Sequence, residues 1–160
     1  MKNIRFDAKR CSKERTSNGA QLAGMGHNEQ VILAGKLFMG QDASNSQIML
    51  RELEKKRYSY YQQDLRKKRV ENISDILTKD DLQEKLVASK LRCFYCAKPI
   101  YIFYKESRDP KQWSLDRIDN TRPHTVDNIC ISCLGCNLKR REISHSGYAF
   151  TKNLSIRKLE

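Results

Sequence analysis

Apolar residues recur near helical spacing in two parts of the chain. Residues 46–69 contain neither Gly nor Pro, and their apolar positions include Leu50, Leu53, Tyr61 and Leu65. A second stripe predicts a helix over residues 79–91, with apolar side chains at Leu82, Leu86, Val87 and Leu91. Each predicted helix starts beside a capping box, Ser44 with Gln47 in the first and Thr78 with Asp81 in the second.

Strand-like composition lies in the second half of the chain. Residues 99–105, PIYIFYK, and residues 112–118, QWSLDRI, predict strands because β-branched and aromatic side chains favour them. Residues 128–132, NICIS, alternate in hydrophobicity and are expected to return antiparallel to QWSLDRI. A helix is then predicted over CNLKRREIS, with a break near Gly147. Residues 31–38, VILAGKLF, fit either a strand or a helical turn.

These elements divide the chain into four predicted parts. Residues 1–45 are expected to form a basic, flexible arm, since their first 30 positions are polar and show no sustained period. Residues 46–77 are predicted to form a basic helical extension, residues 78–146 a compact domain, and residues 147–160 a tail. The expected fold class is α+β.

Charge narrows the choice of partner. The 160 residues hold 31 Lys and Arg against 19 Asp and Glu, a formal net charge of +12, and the isoelectric point is about 9.5. Such an excess favours nucleic acid, because each neutralised phosphate releases counterions. No stretch approaches the roughly 18 apolar residues of a membrane span, so a soluble protein without a membrane partner is expected.

Two Cys-x-x-Cys pairs indicate a metal site. Cys93 with Cys96 and Cys133 with Cys136 supply four sulfur atoms, and two such pairs complete the tetrahedron that structural zinc prefers. One structural zinc ion per chain is therefore expected. A disulfide or redox pair is the alternative. Because no apolar run follows the first basic residues, secretion is not expected, and the thiols are predicted to stay reduced in the cytoplasm, the nucleus or a virion.

The choice of the second pair has competing solutions. Cys130 extends the pattern to C-x-x-C-x-x-C, so it could replace one ligand or indicate an iron–sulfur cluster. We favour Cys133 with Cys136, because Cys130 lies in the predicted strand NICIS, where a thiol usually packs as a small buried side chain. An unrelated zinc knuckle also fits the two pairs.

The segments LRCFYCAKPI, SLDRIDN and HTVDNICISCLGCN, taken together from about Thr78 to Glu142, resemble the HNH endonucleases of the ββα-metal superfamily. The likeness is to zinc-stapled members of phage and large-DNA-virus type. It implies a ββα-metal finger held by a Cys₄ zinc site and a DNA endonuclease that nicks or cuts phosphodiester bonds.

The same resemblance implies roles for individual residues. Asp116 and Asn137 would bind a catalytic Mg²⁺ or Mn²⁺ ion, which prefers oxygen ligands. Asn128 would pin the connecting loop. Apart from the resemblance, cations near the start of a helix favour a phosphate partner, so phosphate contacts are expected from Lys139, Arg140 and Arg141, with side chains that simply face solvent as the alternative. The basic residues of the extension predict either a solvated helix face or a second strip of phosphate contacts, at Lys55, Lys56, Arg57, Arg66, Lys67, Lys68 and Arg69.

Arg117 departs from the family pattern. It stands where the family carries the histidine that acts as general base, and a guanidinium cannot accept a proton near neutral pH. Arg117 could contact phosphate instead, while His124 or Asp119 supplies the base, or a metal-bound hydroxide suffices. The alternative function is a catalytically inactive nucleic-acid-binding or virion-associated zinc protein. His27 and His145 are not expected to take part.

Overall fold

The computed structural model describes residues 13–41, 43–70 and 76–154. These residues form six helices and one two-stranded antiparallel sheet, which is an α+β arrangement. The helices are α1 (Asn18–Gln21), α2 (His27–Phe38), α3 (Ser46–Arg66), α4 (Lys79–Ala88), α5 (Leu134–Arg140) and α6 (His145–Asn153). The strands are β1 (Trp113–Arg117) and β2 (Ile129–Cys133), with a short 3₁₀ turn at Val126–Asn128 before β2.

Helix α2 corrects the expectation of a flexible arm over residues 1–45. The Glu29 carboxylate accepts a hydrogen bond of 2.6 Å from the backbone N–H of Gly26, which satisfies one free donor at the start of the helix. Leu33 and Ala34 are buried in the core. VILAGKLF is therefore part of a helix that begins at His27. Residues 1–12 and Asp42 lie outside the described residues.

Helices α3 and α4 lie where the apolar stripes predicted them. The capping box of Thr78 and Asp81 is confirmed, since the Asp81 N–H donates to the Thr78 hydroxyl over 3.1 Å. The predicted box of Ser44 and Gln47 is wrong, because the N-cap residue of α3 is Asn45, whose side chain makes no capping bond. Helix α4 ends at Ala88, before Lys90 and Leu91 turn to positive φ.

The hairpin of β1 and β2 has the predicted antiparallel register, in which Asp116 lies opposite Cys130. The predicted strand PIYIFYK is wrong. Its backbone N–H groups at Ile102 and Phe103 donate to the side-chain oxygen of Gln30, over 2.8 and 3.0 Å. A buried side chain of α2 thus satisfies donors that a neighbouring strand would otherwise have to meet.

The C-terminal helix is interrupted earlier than predicted. Helix α5 ends at Arg140, because Arg141 has a φ of 50° and cannot continue the helix. The chain then starts α6, where the Ser144 hydroxyl accepts from the N–H of Gly147. Gly147 therefore lies in the first turn of α6 and is not the point at which a helix breaks.

One core joins the helices to the hairpin. Buried apolar side chains of α2, α3 and α4 form a single cluster with those of β1, β2 and the cysteine turn. The hairpin is held from the α3 side by Tyr60, whose hydroxyl accepts from the N–H of Leu115. Helix α5 packs against both strands. Among the described residues, none of the helices combines the length and apolar character that crossing a membrane requires.

Candidate metal centre and nucleic-acid interface

Four cysteines converge beside the hairpin. Cys93 and Cys96 lie in the turn after α4, Cys133 ends β2 and Cys136 lies in α5. Their sulfur atoms are all within 4.8 Å of one another. Four thiolates at about 2.3 Å from a zinc ion would lie about 3.8 Å apart, so this cluster could hold a metal ion such as zinc.

Local bonds hold the two pairs in place. The N–H of Phe94 donates to the carbonyl of Ile131 over 2.9 Å, which ties the first pair to β2. The N–H of Cys136 donates to the sulfur of Cys133 over 3.3 Å. A hydrogen bond from the Cys133 thiol lowers the pKa of Cys93 to about 5, and the same bond raises the pKa of Cys133, so the two sulfurs share one proton.

Cys130 does not belong to the cluster, although its spacing allowed it to. Its thiol is buried beside the Tyr95 hydroxyl, 3.7 Å away, and the four sulfurs that converge are those of the other cysteines. Burial raises the pKa of Cys130 to about 12, so it stays a neutral thiol. The pairing of Cys133 with Cys136 therefore agrees with the geometry.

Asp116 is engaged by a buried arginine. The Nε of Arg140 donates to one carboxylate oxygen over 2.7 Å, and Nη2 donates to the other over 2.9 Å. The Tyr95 hydroxyl adds a third bond of 2.6 Å. Asp116 and Arg140 are only 4% and 2% exposed, so this two-pronged ion pair is shielded from water.

Arg140 makes further hydrogen bonds within the protein. Nη1 donates to the carbonyl of Ile143 over 2.7 Å, and Nη2 donates to the Arg117 carbonyl and the Asn120 side chain over 2.6 and 2.7 Å. Burial alone would lower the pKa of Arg140, but hydrogen bonding and attraction from Asp116 raise it. Arg140 is therefore a permanent cation at this site.

This arrangement does not fit the expected catalytic ion at Asp116 and Asn137. Both carboxylate oxygens of Asp116 already accept from a cation, and a divalent ion would have to displace that cation from a closed interior. The amide nitrogen of Asn137 donates to the Leu115 carbonyl and the Ser114 hydroxyl, over 3.0 and 3.3 Å. Asn137 thus lies beside β1 as expected, but its amide nitrogen braces the strand.

Arg117, His124 and Asp64 form a second polar cluster on the other side of the hairpin. The carboxylate of Asp64 accepts from the backbone N–H and from Nδ1 of His124, over 2.8 and 2.7 Å. Nη1 of Arg117 lies 3.7 Å from the other oxygen of Asp64. The Tyr60 ring packs on the His124 ring, with centroids 4.6 Å apart. His124 and Asp64 are both buried.

The loop between the strands is pinned by Asn128. Its amide oxygen accepts from the N–H of Asp119, and its amide nitrogen donates to the carbonyls of Asp119 and Pro123. Asp119 itself is exposed, and hydrogen bonds from the Thr121 hydroxyl and N–H lower its pKa. The Asp119 carboxylate therefore serves as the acceptor that closes the turn at Thr121.

The predicted phosphate contacts divide by exposure. Lys55, Arg66, Lys67, Lys68, Lys139 and Arg141 are exposed, and Arg69 is partly exposed. Three others are engaged by the protein. Arg140 pairs with Asp116, Arg57 bonds to Glu54 and to the Leu77 carbonyl, and Lys56 bonds to Gln112 and the Trp113 carbonyl. Burial lowers the pKa of Lys56 to about 7, which weakens it further as a phosphate contact.

Comparisons of the chain with protein-family models, with curated proteins and with solved structures found no match in any of the three. The site is therefore interpreted from its own geometry.

Three residues that contribute to the two polar clusters were not identified from the sequence. Tyr95, Asp64 and His145 lie far apart in the chain, and Tyr95 was hidden between two cysteines. Its hydroxyl also lies 3.1 Å from Nδ1 of His145, which connects that histidine to Asp116. The sequence signal for Asp64 was available, since an acid at a buried position of a basic helix needs a partner.

Proposed function

We propose that this protein binds nucleic acid through an HNH-type ββα domain stabilised by zinc, and that it binds without metal-dependent cleavage. The observation that carries the proposal is the buried ion pair of Arg140 with Asp116, since the arginine occupies both oxygens of the aspartate that the resemblance assigns to a metal ion. Arg117 at the general-base position also argues against cleavage, because a guanidinium cannot accept a proton near neutral pH.

Nucleic-acid binding is supported by where the free cations lie. Lys67, Lys68 and Arg69 follow the end of α3 and border an open cavity of about 800 Å³. The opposite wall is formed by the loop and 3₁₀ turn between β1 and β2. Arg122, Asp81 and Asp127 also line it, and Arg122 is ion-paired with Asp127, so most of the positive charge of the cavity comes from the α3 end. A phosphate backbone is the partner that this cationic edge and the overall charge of +12 fit.

Zinc is the proposed occupant of the cysteine cluster. Four thiolates form a soft ligand set, and a closed Cys₄ site leaves no position for a reacting water molecule. The ion would therefore fold the protein and take no part in chemistry. Elemental analysis should give one zinc per chain, and a substoichiometric or different metal would contradict this assignment.

A metal-dependent DNA endonuclease is the second candidate. The observation that favours it is the position of Asn137, whose side chain bonds to the Leu115 carbonyl immediately before Asp116. The family's two metal-binding positions are thus neighbours. For this candidate to hold, Arg140 must leave Asp116 when the substrate binds.

Two assays on the full chain separate these candidates. The binding assay measures the affinity for DNA duplex, single-stranded DNA and RNA across a salt series. The cleavage assay follows nicking of supercoiled plasmid with Mg²⁺ or Mn²⁺. Our proposal expects salt-sensitive binding and no nicking, whereas metal-dependent nicking that disappears in an Asp116→Ala variant shown by circular dichroism to be folded would establish the endonuclease.

A matched pair of variants tests the binding edge. The double change Lys67→Ala and Lys68→Ala should lower the slope of log affinity against log salt by about 1.8 on duplex DNA, since each lost phosphate contact removes about 0.9. The control removes the exposed Lys13 and Lys36, which do not line the cavity. Equal slopes in the two double variants would place the interface elsewhere.

A further inference from the structure

An open groove of about 460 Å³ lies between the end of α4 and β2. Its walls include Phe94, Ile118 and His145, and its basic residues are Lys85 and Arg92. Phe94 is 53% exposed and Ile118 is 42% exposed, so two large apolar side chains meet water in one concave surface. The proposed phosphate-binding edge at Lys67–Arg69 belongs to a different cavity.

The Phe94 ring is held in place although it is exposed. It lies between the metal-site cysteines Cys93 and Cys96, and its N–H is bonded to β2. The His145 ring packs beside it with centroids 4.7 Å apart and an angle of 32°, and the Tyr95 ring meets it edge-on at 5.3 Å. A ring fixed in this way loses little conformational entropy when a ligand stacks on it.

The charges of the groove select the kind of ligand. Lys85 and Arg92 are its charged residues, and no acid is found among the described residues that line it. An exposed aromatic ring beside cations suits a ligand that combines a flat aromatic ring with a phosphate group. Nucleobases in a duplex are already stacked on their neighbours, so the matching ligand is an unpaired nucleobase with its adjacent phosphates.

We propose that this groove binds an unpaired base of single-stranded nucleic acid, stacked on Phe94, with the flanking phosphates on Lys85 and Arg92. This inference rests on the proposed nucleic-acid function and adds a preference for unpaired strands. The Arg92 side chain bonds to the Ala97 carbonyl through Nη1 over 3.1 Å, which positions the guanidinium at the groove.

The test uses the metal-loaded protein and a short oligonucleotide that contains 2-aminopurine, whose fluorescence falls when it stacks on an aromatic ring. The wild-type protein should quench a single strand more than the matched duplex. Phe94→Ala should remove that quenching and weaken single-strand binding about tenfold, within the range for the loss of one stacked base. Phe94→Tyr should retain both.

Two controls keep the result specific to the groove. Leu138→Ala removes an apolar residue of similar exposure, 49%, from α5, outside the groove, and should change neither quenching nor affinity. Metal content measured for each variant shows that the cysteine turn still folds. Arg92→Gln tests the groove independently of Phe94. It should lower the slope of log affinity against log salt concentration by about 0.7 on single strands.

The possible failures are distinct. A wild-type protein that binds no nucleic acid overturns both this inference and the proposed function. Binding that is unchanged by Phe94→Ala and Arg92→Gln overturns the groove alone, as does equal quenching of single strand and duplex. The same measurement with DNA and with RNA oligonucleotides shows which sugar the site accepts. If neither oligonucleotide stacks on Phe94, the proposal is overturned, and an apolar peptide becomes the candidate occupant of the groove.

Discussion

At the scale of single residues, Arg140 is the side chain on which the interpretation of the site depends. All three guanidinium nitrogens donate to protein acceptors while the residue is 2% exposed. Taking a charge out of water is costly unless a partner and further hydrogen bonds offset the loss. The acceptors come from Asp116, Ile143 and Asn120. The buried guanidinium is therefore stable only while these acceptors surround it.

Removal of either partner of this pair should destabilise the fold strongly. Arg140→Ala leaves Asp116 buried with the Tyr95 hydroxyl as its remaining side-chain donor, and Asp116→Ala leaves a buried guanidinium without its counter-ion. Each change should lower the free energy of unfolding by about 3 to 5 kcal/mol. Urea unfolding of the metal-loaded protein, followed by circular dichroism, measures the loss.

The neighbouring arginine is the control for that experiment. Arg141 is exposed, and the contact that it makes with Asn120 uses its backbone carbonyl. Arg141→Ala should therefore stay within about 0.5 kcal/mol of the wild-type protein. If the Arg140 and Arg141 variants were equally stable, the buried pair would not be present in solution.

The sequence predicted a phosphate contact at Arg140, whereas its side chain is buried against Asp116. Composition treats Lys139, Arg140 and Arg141 alike, and only one of them turns inward. Helical spacing could have predicted the inward direction of Arg140, because Asn137 and Arg140 are three residues apart and share a face of α5. The acceptors that make burial possible belong to the hairpin and its loop, so their positions follow from tertiary structure.

At the scale of elements, the contact between α3 and the loop between β1 and β2 depends on Asp64. This carboxylate receives two hydrogen bonds from His124. Burial by itself would raise the pKa of Asp64, but the bonds and the charges of His124 and Arg117 lower it below its ordinary value. The fold therefore favours the ionised carboxylate.

This pKa shift predicts an acid-sensitive contribution to stability. A carboxylate whose pKa is lower in the folded state stabilises fully above its unfolded pKa, near 3.9, and the contribution is lost as the pH falls through the folded value. Asp64→Asn should cost about 1 to 3 kcal/mol at pH 7. Its difference from the wild-type protein should shrink as the pH falls below about 4.

Both proteins share the acid sensitivity of the cysteine site, so their stabilities are compared over the pH range in which each still holds its metal. Asp80→Asn serves as the control, because Asp80 is exposed and its contact with Lys79 is long, at 3.9 Å. Its loss of stability should stay within about 0.3 to 1 kcal/mol, the contribution of a charge in the first turn of α4. A constant difference for Asp64→Asn across the pH range would exclude a lowered pKa.

The start of α4 offers a second test at this scale. Thr78 accepts from the N–H of Asp81, whereas Ser44 precedes α3 at a position without a capping bond. Thr78→Ala should lower the free energy of unfolding by about 1 kcal/mol, and Ser44→Ala should leave it nearly unchanged. Thermal and urea unfolding of both variants checks this, and equal losses would contradict the observed caps.

The failure at PIYIFYK shows why some elements were not predictable from local sequence. Apolar and β-branched residues favour a strand, and Ile100, Ile102 and Phe103 are indeed buried. Their segment does not pair as a strand because Gln30, more than seventy positions earlier, accepts two of its backbone donors. Helices α3 and α4 were predictable because periodicity and a local cap carry their information.

At the scale of the whole molecule, the cysteine cluster and the helices share one core. One apolar cluster contains Cys93 and Cys136 together with buried leucines of three helices, Leu33 of α2, Leu53 of α3 and Leu86 of α4. The separation of an extension from a metal-stapled domain was a prediction from composition. Packing across that boundary means that the two parts should respond together when the metal is removed.

Metal removal should therefore unfold the chain in one transition. Without the ion, the four cysteines no longer hold β2 and α5 to the turn after α4, and the hairpin loses its support on one side. Chelation should make the helical signal and the environment of the buried Trp113 change together, with the same midpoint. Cys136→Ala should behave as the metal-free protein, whereas Cys130→Ala should retain one metal per chain, because its sulfur lies outside the cluster. A chelated protein that kept its helices while Trp113 became exposed would show instead that the helical part folds independently of the metal.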